Sequence, residues 1–217
     1  MKYIKYFEKI VSAQELLDNT DMTVLEFNEA YQKLLGKPAP NFDLLIHGGP
    51  SAGKSTFLMK FAKYLANDFG KVLYVSSEEF GSITLAKKVR ALKNIPKNLF
   101  FVRDIVEEKE NCKECEKSGY ITEDVDLSPF NFVIIDSVND IGINIARYKE
   151  LRDKYPQIAF ILVLQHTKGG TFKGGKEWEH EVEIAAEVKE GKVNTYKNRY
   201  GVLGEIKVFK KWRRNKE

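Results

Sequence analysis

Residues Gly48-Gly49-Pro50-Ser51-Ala52-Gly53-Lys54-Ser55-Thr56 satisfy the glycine-rich phosphate-loop pattern in full. Gly48 and Gly53 can take backbone conformations closed to residues with a Cβ, so successive N–H groups can turn inward as an anion cradle. Lys54 offers a point charge to the β and γ phosphates, and the Ser55 hydroxyl is a ligand for Mg²⁺. The chemistry implied is binding of a nucleoside triphosphate, taken as ATP, together with Mg²⁺.

A metal at such a site calls for a carboxylate at the end of a second strand. Phe132-Val133-Ile134-Ile135-Asp136 supplies one after an apolar run, so Ser55 and Asp136 are the expected metal residues. The segment Val75-Ser76-Ser77-Glu78-Glu79 ends another apolar run. If its strand neighbours the phosphate-loop strand, Glu78 stands beside the γ-phosphate as the group that activates water, with Glu79 as the alternative.

These side chains need a particular frame. Residues 42–47 read as a buried strand, and Phe57, Leu58, Phe61, Ala62, Leu65 and Phe69 recur at helical spacing until Gly70. A strand, a glycine turn and a helix N-terminus therefore meet at the anion site. Residues 72–75 read as the next strand, followed by a helix capped by Ser82 and running through Leu85, Val89 and Leu92. Further strands are expected over 99–102, 132–135 and 158–164. Alternation of this kind builds a mostly parallel sheet with helices on both faces. The segments 183–190, 192–197 and 205–210 look like strands joined by glycine turns, an antiparallel C-terminal extension. Helical patterns over 12–18 and 23–35, closed by Gly36 and the prolines at 38 and 40, form an N-terminal flank over 1–41. That leaves a core over 42–209 and a basic tail over 210–217.

The 217 residues, 43% hydrophobic and 30% charged, suit a globular chain with one full α/β core. No apolar run approaches membrane-spanning length and the N-terminus lacks a signal-peptide core, so the cytoplasm is the expected location, without a membrane partner. The net charge of +4 is uneven: residues 103–127 form an acidic insertion with nine acidic and four basic side chains, which leaves the body basic. A basic body is compatible with nucleic acid without demanding it. Cys112 and Cys115 lie in that insertion. A lone C-x-x-C is half of a tetrahedral zinc site, and the pair reads as ordinary reduced thiols.

The string LYVSSEE over 73–79 resembles the LYVSGEE segment of the bacterial RadA/Sms proteins, which are RecA-like ATPases. Trp178-Glu179-His180-Glu181-Val182-Glu183 is similar to their L-E-H-x-V-D stretch, and Lys197-Asn198-Arg199-Tyr200-Gly201 to their K-N-R-F-G signature with Tyr for Phe. Gln165-His166-Thr167-Lys168-Gly169-Gly170 resembles the H-V-T-K-x-G run after the fifth core strand. These motifs span residues 44–209 in the family's order.

The resemblance implies a RecA-like P-loop NTPase fold that assembles as a ring or filament, with ATP at the interface between copies. It implies that Glu78 polarises the attacking water and that Lys197, Arg199 or both complete a neighbour's site. Gln165 matches the polar sensor, with His166 in competition. The glycine-rich loop over 167–176, with Lys168, Lys173 and Lys176, matches the DNA-contacting region; mobile glycines and lysines suit a phosphate backbone. The tail from Lys207 onward has six Lys or Arg interleaved with Phe209 and Trp212, which suits single-stranded DNA by charge and stacking. RadA proteins also carry an N-terminal four-cysteine zinc module and a C-terminal protease-like domain, and neither is found in this sequence. The expectation is a minimal Mg²⁺-dependent ATPase that oligomerises on DNA in recombination, repair or replication. Two other readings are a KaiC-like assembly or signalling ATPase without DNA, and a small-molecule kinase, against which the KNRYG and SSEE segments argue.

Overall fold

The computed structural model describes residues 11–105, 125–165 and 175–209. Their elements run α1 (Ala13–Asn19), α2 (Glu29–Leu35), β1 (Asp43–Gly48), α3 (Lys54–Asp68), β2 (Val72–Ser76), α4 (Ile83–Ala91), β3 (Leu99–Val102) and β4 (Phe132–Asp136). They continue through α5 (Val138–Ile141), α6 (Ile145–Lys154), β5 (Ala159–Gln165), α7 (Gly175–Glu181), β6 (Ile184–Lys189), β7 (Lys192–Asn198) and β8 (Glu205–Lys207).

All eight strands join one sheet in the order β3-β2-β4-β5-β1-β6-β7-β8. The pairs from β3 across to β6 are parallel, and β6–β7 and β7–β8 are antiparallel. The extension expected at the C-terminus is therefore present, entered through a strand, β6, that itself runs parallel to β1. Every residue of β1 and β2 is buried, as are nearly all of β4 and β5. Continuous apolar runs of this kind belong to parallel strands covered on both faces. Alternation sorts them into two cores. Leu44, Ile46, Tyr74 and Ile134 face α3 and α2 in one, while Leu45, Val75, Ile135 and Leu162 face α5, α6 and α7 in the other.

The helix expected over 23–35 begins only at Glu29. Asn28 caps it by accepting from the Tyr31 N–H at 3.2 Å, and upstream the Leu25 N–H is bound instead to the Pro38 carbonyl at 2.8 Å. Phe27 is drawn out of helical register into an aromatic cluster, edge-on to Phe42, Phe61, Tyr64 and Phe69. Helix α2 is fixed to the far end of the sheet: the Thr195 hydroxyl donates to the Leu34 carbonyl at 2.9 Å and the Asn198 amide to that of Leu35 at 3.1 Å. Most of the acidic insertion, with Cys112 and Cys115, and the tail over 210–217 lie outside the described residues. Among the described residues no helix is long and apolar enough to cross a membrane.

One buried carboxylate makes folding sensitive to pH. Asp43 is 1% exposed, and burial pushes its carboxyl up to about 7, against the pull of the Arg152 guanidinium 2.8 Å away. The folded chain therefore holds this proton to higher pH than the unfolded chain. The resulting stability is complete below the ordinary carboxylate range and is lost as pH rises toward about 7. Urea titrations from about pH 4 to about pH 7 should show wild type losing stability relative to Asp43→Asn, and a constant difference would contradict this. Arg152→Met, which removes the cation that pulls this carboxyl down, should raise its pKa further and destabilise the chain more above about pH 7 than at about pH 4.

Candidate active site

β1 ends at Gly48 with no room for a side chain. A Cβ there would lie 2.3 Å from the Val188 carbonyl oxygen of β6, so the loop leaves the sheet in direct backbone contact with its neighbour. Ser51 at φ 56° and Gly53 at φ 109° then reverse the chain into α3, whose N-cap is Gly53 itself. The Gly191 N–H donates to the Ala52 carbonyl at 3.2 Å and ties the β6–β7 turn to the loop. The result is a helix N-terminus meeting a glycine-rich turn, the arrangement that favours phosphate.

Lys54 starts α3 and folds back over the loop, donating to the carbonyls of Gly48 at 2.8 Å and Gly49 at 2.9 Å. Burial lowers its pKa, and the neighbouring Asp136 opposes that shift. Ser55, one residue on, lies near enough to the Asp136 carboxyl to help pull its pKa down. Asp136 also accepts from the Tyr74 hydroxyl at 2.6 Å. Burial raises the Asp136 pKa, while the Tyr74 hydrogen bond, the Lys88 charge, Ser55 and Lys54 pull it down. Lys54, Ser55 and Asp136 thus meet at one point.

The strand register brings further groups to the same edge. Gly48 is level with Gln165 across β1–β5, and Ser76 with Asp136 across β2–β4. The Gln165 amide donates to Asp140 at 2.8 Å and reaches Glu78 at 3.4 Å, and its backbone N–H donates to Asn139 at 3.1 Å. The Ser137 hydroxyl donates to the Asp140 carboxylate. Glu78 is exposed at this edge, whereas Glu79 turns away and is ion-paired with Lys88 at 2.6 Å. Of the two carboxylates weighed in the sequence, Glu78 is the one joined to Gln165. His166 lies outside the described residues.

Sequence reasoning missed Tyr74, Lys88, Ser137, Asn139 and Asp140. Tyr74 read as one more apolar strand residue, and the signal overlooked was its hydroxyl two positions before the strand end. The polar run Ser137-Val138-Asn139-Asp140 directly after Asp136 was equally visible.

Lys197 and Arg199 sit elsewhere. β7 runs antiparallel to β6, so Lys197 is level with Ala185 and the pair lies at the opposite edge of the sheet from Gly48. The Lys197 amine donates to the carbonyls of Glu179 and, at 2.7 Å, Val182, where it closes the end of α7. The Arg199 backbone N–H donates to Glu183 and its residue is exposed. Neither cation reaches the phosphate loop of its own chain. Two surface hollows among the described residues, of about 830 and 580 Å³, lie beside α2 and Tyr200 and beside α4, and neither includes the loop or its carboxylates.

The residues fit ATP and Mg²⁺: the loop leaves no space for a Cβ at Gly48, Ser55 and Asp136 pair a hydroxyl with a carboxylate, and the buried Ser77 hydroxyl beside Glu78 has no protein partner.

Sheet and loop together define a RecA-like α/β core. No family model matches the chain. It is 32% identical to the DNA repair protein RadA of Aquifex aeolicus over 181 residues, covering 77% of this chain and 39% of that protein. With the DNA repair protein RadA of Streptococcus pyogenes serotype M6 the identity is 31% over 210 residues, covering 88% and 42%. With that of Campylobacter jejuni it is 28% over 186 residues, covering 76% and 39%. The chain is a RadA-like relative within the RecA superfamily, and it spans about two fifths of the length of these curated relatives.

Two adjacent glycines provide an internal control on this geometry. Gly48→Ala should cost about 1–3 kcal/mol in thermal unfolding and abolish nucleotide binding, because Val188 blocks the new methyl. Gly49→Ala, with nothing within 4 Å, should fall within about 0.5 kcal/mol of wild type. Equal effects at the two positions would contradict the assigned close approach.

Proposed function

We propose that this chain is a Mg²⁺-dependent ATPase that works as an oligomer on DNA in recombination, repair or replication. The observation that carries the reading is the convergence of Lys54, Ser55, Asp136, Glu78 and Gln165 on one sheet edge. The backbone of residues 48–56 and the Lys54 charge would hold the triphosphate, and Ser55 with Asp136 the metal. Bound Mg²⁺ supplies positive charge at the phosphate oxygens. Glu78, held near the Gln165 amide, takes the role of orienting water and accepting its proton. Gln165 is in turn anchored to the turn after β4 through Asn139 and Asp140, so a change at Glu78 has a path to the end of β5 and the loop that follows.

Oligomeric action is supported by where Lys197 and Arg199 stand among the described residues. Lys197 stands at the level of Leu45 and Arg199 beyond the level of Leu44, about 10 Å and more than about 13 Å of strand away from Gly48. A cation at that edge serves a phosphate only in another copy. Arg199 suits the task better than Lys197, whose amine is already held by two carbonyls. DNA as the partner is supported by the relatives, which are DNA repair proteins, and by the basic body. Within this reading the core is residues 42–209 with an acidic insertion at 103–127, an N-terminal flank at 1–41 and a basic tail at 210–217. The loop over 167–176 and that tail are the proposed contacts for single strands.

ATP turnover measured with and without single-stranded DNA tests the reading. Turnover should require Mg²⁺, rise with DNA, and lose that stimulation as salt increases. No binding and no stimulation at low or moderate salt would remove DNA and leave a nucleotide-regulated assembly. Mixing Lys54→Ala with Arg199→Ala subunits should restore activity above the sum of the two, whereas additive losses would contradict a shared site. Lys197→Ala should also lower the melting temperature, since α7 loses its closing ammonium.

A further inference from the structure

Tyr74 is a polar residue at a position that packing alone would give to phenylalanine. It lies mid-strand in β2, level with Ile134 of β4, and is 1% exposed. Its ring belongs to the apolar core on the α3 face of the sheet and tilts against Phe101 of β3, with 5.5 Å between centroids. A hydroxyl buried in such a core costs stability unless it finds a partner. Here the partner is the Asp136 carboxylate, to whose Oδ2 the hydroxyl donates at 2.6 Å.

Register explains the reach. Asp136 stands two residues beyond Ile134 on the same face of β4, about 6.6 Å along the strand. A tyrosine leaning toward that end of the sheet covers the span, whereas the hydroxyl of a serine or threonine would stop short. The two neighbouring cations are committed elsewhere. Lys54 is engaged by the Gly48 and Gly49 carbonyls and Lys88 by both oxygens of Glu79, so neither fixes the direction of the Asp136 carboxylate. A phenol donates at neutral pH and a carboxylate only accepts, so the bond takes one oxygen of Asp136 and leaves the other for a further ligand. We propose that Tyr74 is a positioning residue for the metal: by holding Oδ2 it fixes the carboxylate so that the other oxygen is presented to Mg²⁺ or to a water on it, a reading that rests on assigning Ser55 and Asp136 to the metal. Tyr74 acts in this role only through Asp136. Hydrogen bonds that orient a metal ligand in this way set metal affinity by about 10–100-fold.

Isothermal titration of the full chain with ATP, once in EDTA and once in excess Mg²⁺, gives the factor by which the metal tightens nucleotide binding. Tyr74→Phe, which keeps the ring and removes one oxygen, should cut that factor about tenfold and leave metal-free ATP binding within about twofold of wild type. Asp136→Asn should abolish the factor. Adding Tyr74→Phe to Asp136→Asn should then change nothing further, since the hydroxyl works only through that carboxylate. Equal losses in EDTA and in Mg²⁺ would overturn the proposal, because the hydroxyl would then only support the loop. So would an unchanged factor, additive losses in the double variant, or a Tyr74→Phe chain whose thermal melt shows no folded state. A wild-type chain that binds ATP but gains nothing from Mg²⁺ would refute the metal assignment beneath the proposal, and one that binds no ATP the phosphate-loop assignment. Both outcomes are distinct from any loss confined to the variants.

Discussion

The closing of Gly48 onto the Val188 carbonyl is the contact on which the rest of the site depends. It brings the exit of the central strand β1 against β6, and with it the whole antiparallel extension, so the loop is braced by the sheet rather than hanging from it. From that brace follow the turn through Ser51 and Gly53, the start of α3, and the positions of Lys54 and Ser55 over Asp136. The same brace ties Ala52 to Gly191 and seats Val208 and Phe209 beside the loop. A residue with a side chain at position 48 would disturb all of these at once.

The sheet divides the chemistry between its two edges. At the C-terminal edge of the parallel strands, carboxylates and amides gather around the loop. At the other edge, the Lys197–Gly201 stretch does mostly architectural work: Lys197 closes α7, Asn198 holds the end of α2, and the Tyr200 hydroxyl donates to Glu183 at 3.0 Å. The Trp178–Glu183 stretch is similar in kind, with Trp178 packed on Tyr148, Glu179 accepting from Tyr196 and Glu181 paired with Lys149. Two motifs that resemble family signatures therefore lock onto each other, and Arg199 is left at the surface between them. Carboxylates and amides at one edge and a cation at the opposite one are the arrangement on which the proposed sharing of the site between copies rests.

Much of the fold was legible because its signals are local. The apolar runs of β1, β2, β4 and β5, the helical spacing after Lys54 and the Ser82 cap all emerged close to where the residues predicted them. That Lys54, Ser55 and Asp136 lie close together was readable because the phosphate-loop pattern and the strand ending in Asp136 are local signals. What sequence could not convey was pairing at long range. Tyr74 became a partner of Asp136 only through the register of β2 against β4, and Glu79 was separated from Glu78 only by Lys88 nine residues on. The helix over 23–35 was read too long because burial of Phe27 among four aromatic rings outweighs its local helical pattern.

A structure of the chain bound to Mg²⁺ and a nonhydrolysable ATP analogue tests the central claim most directly. The account expects the phosphates in the cradle of residues 48–56, with Lys54 turned from the Gly48 and Gly49 carbonyls to the ligand and Arg199 of a second copy facing the terminal phosphate. An isolated protomer whose bound nucleotide is already enclosed by cations of its own chain would contradict it.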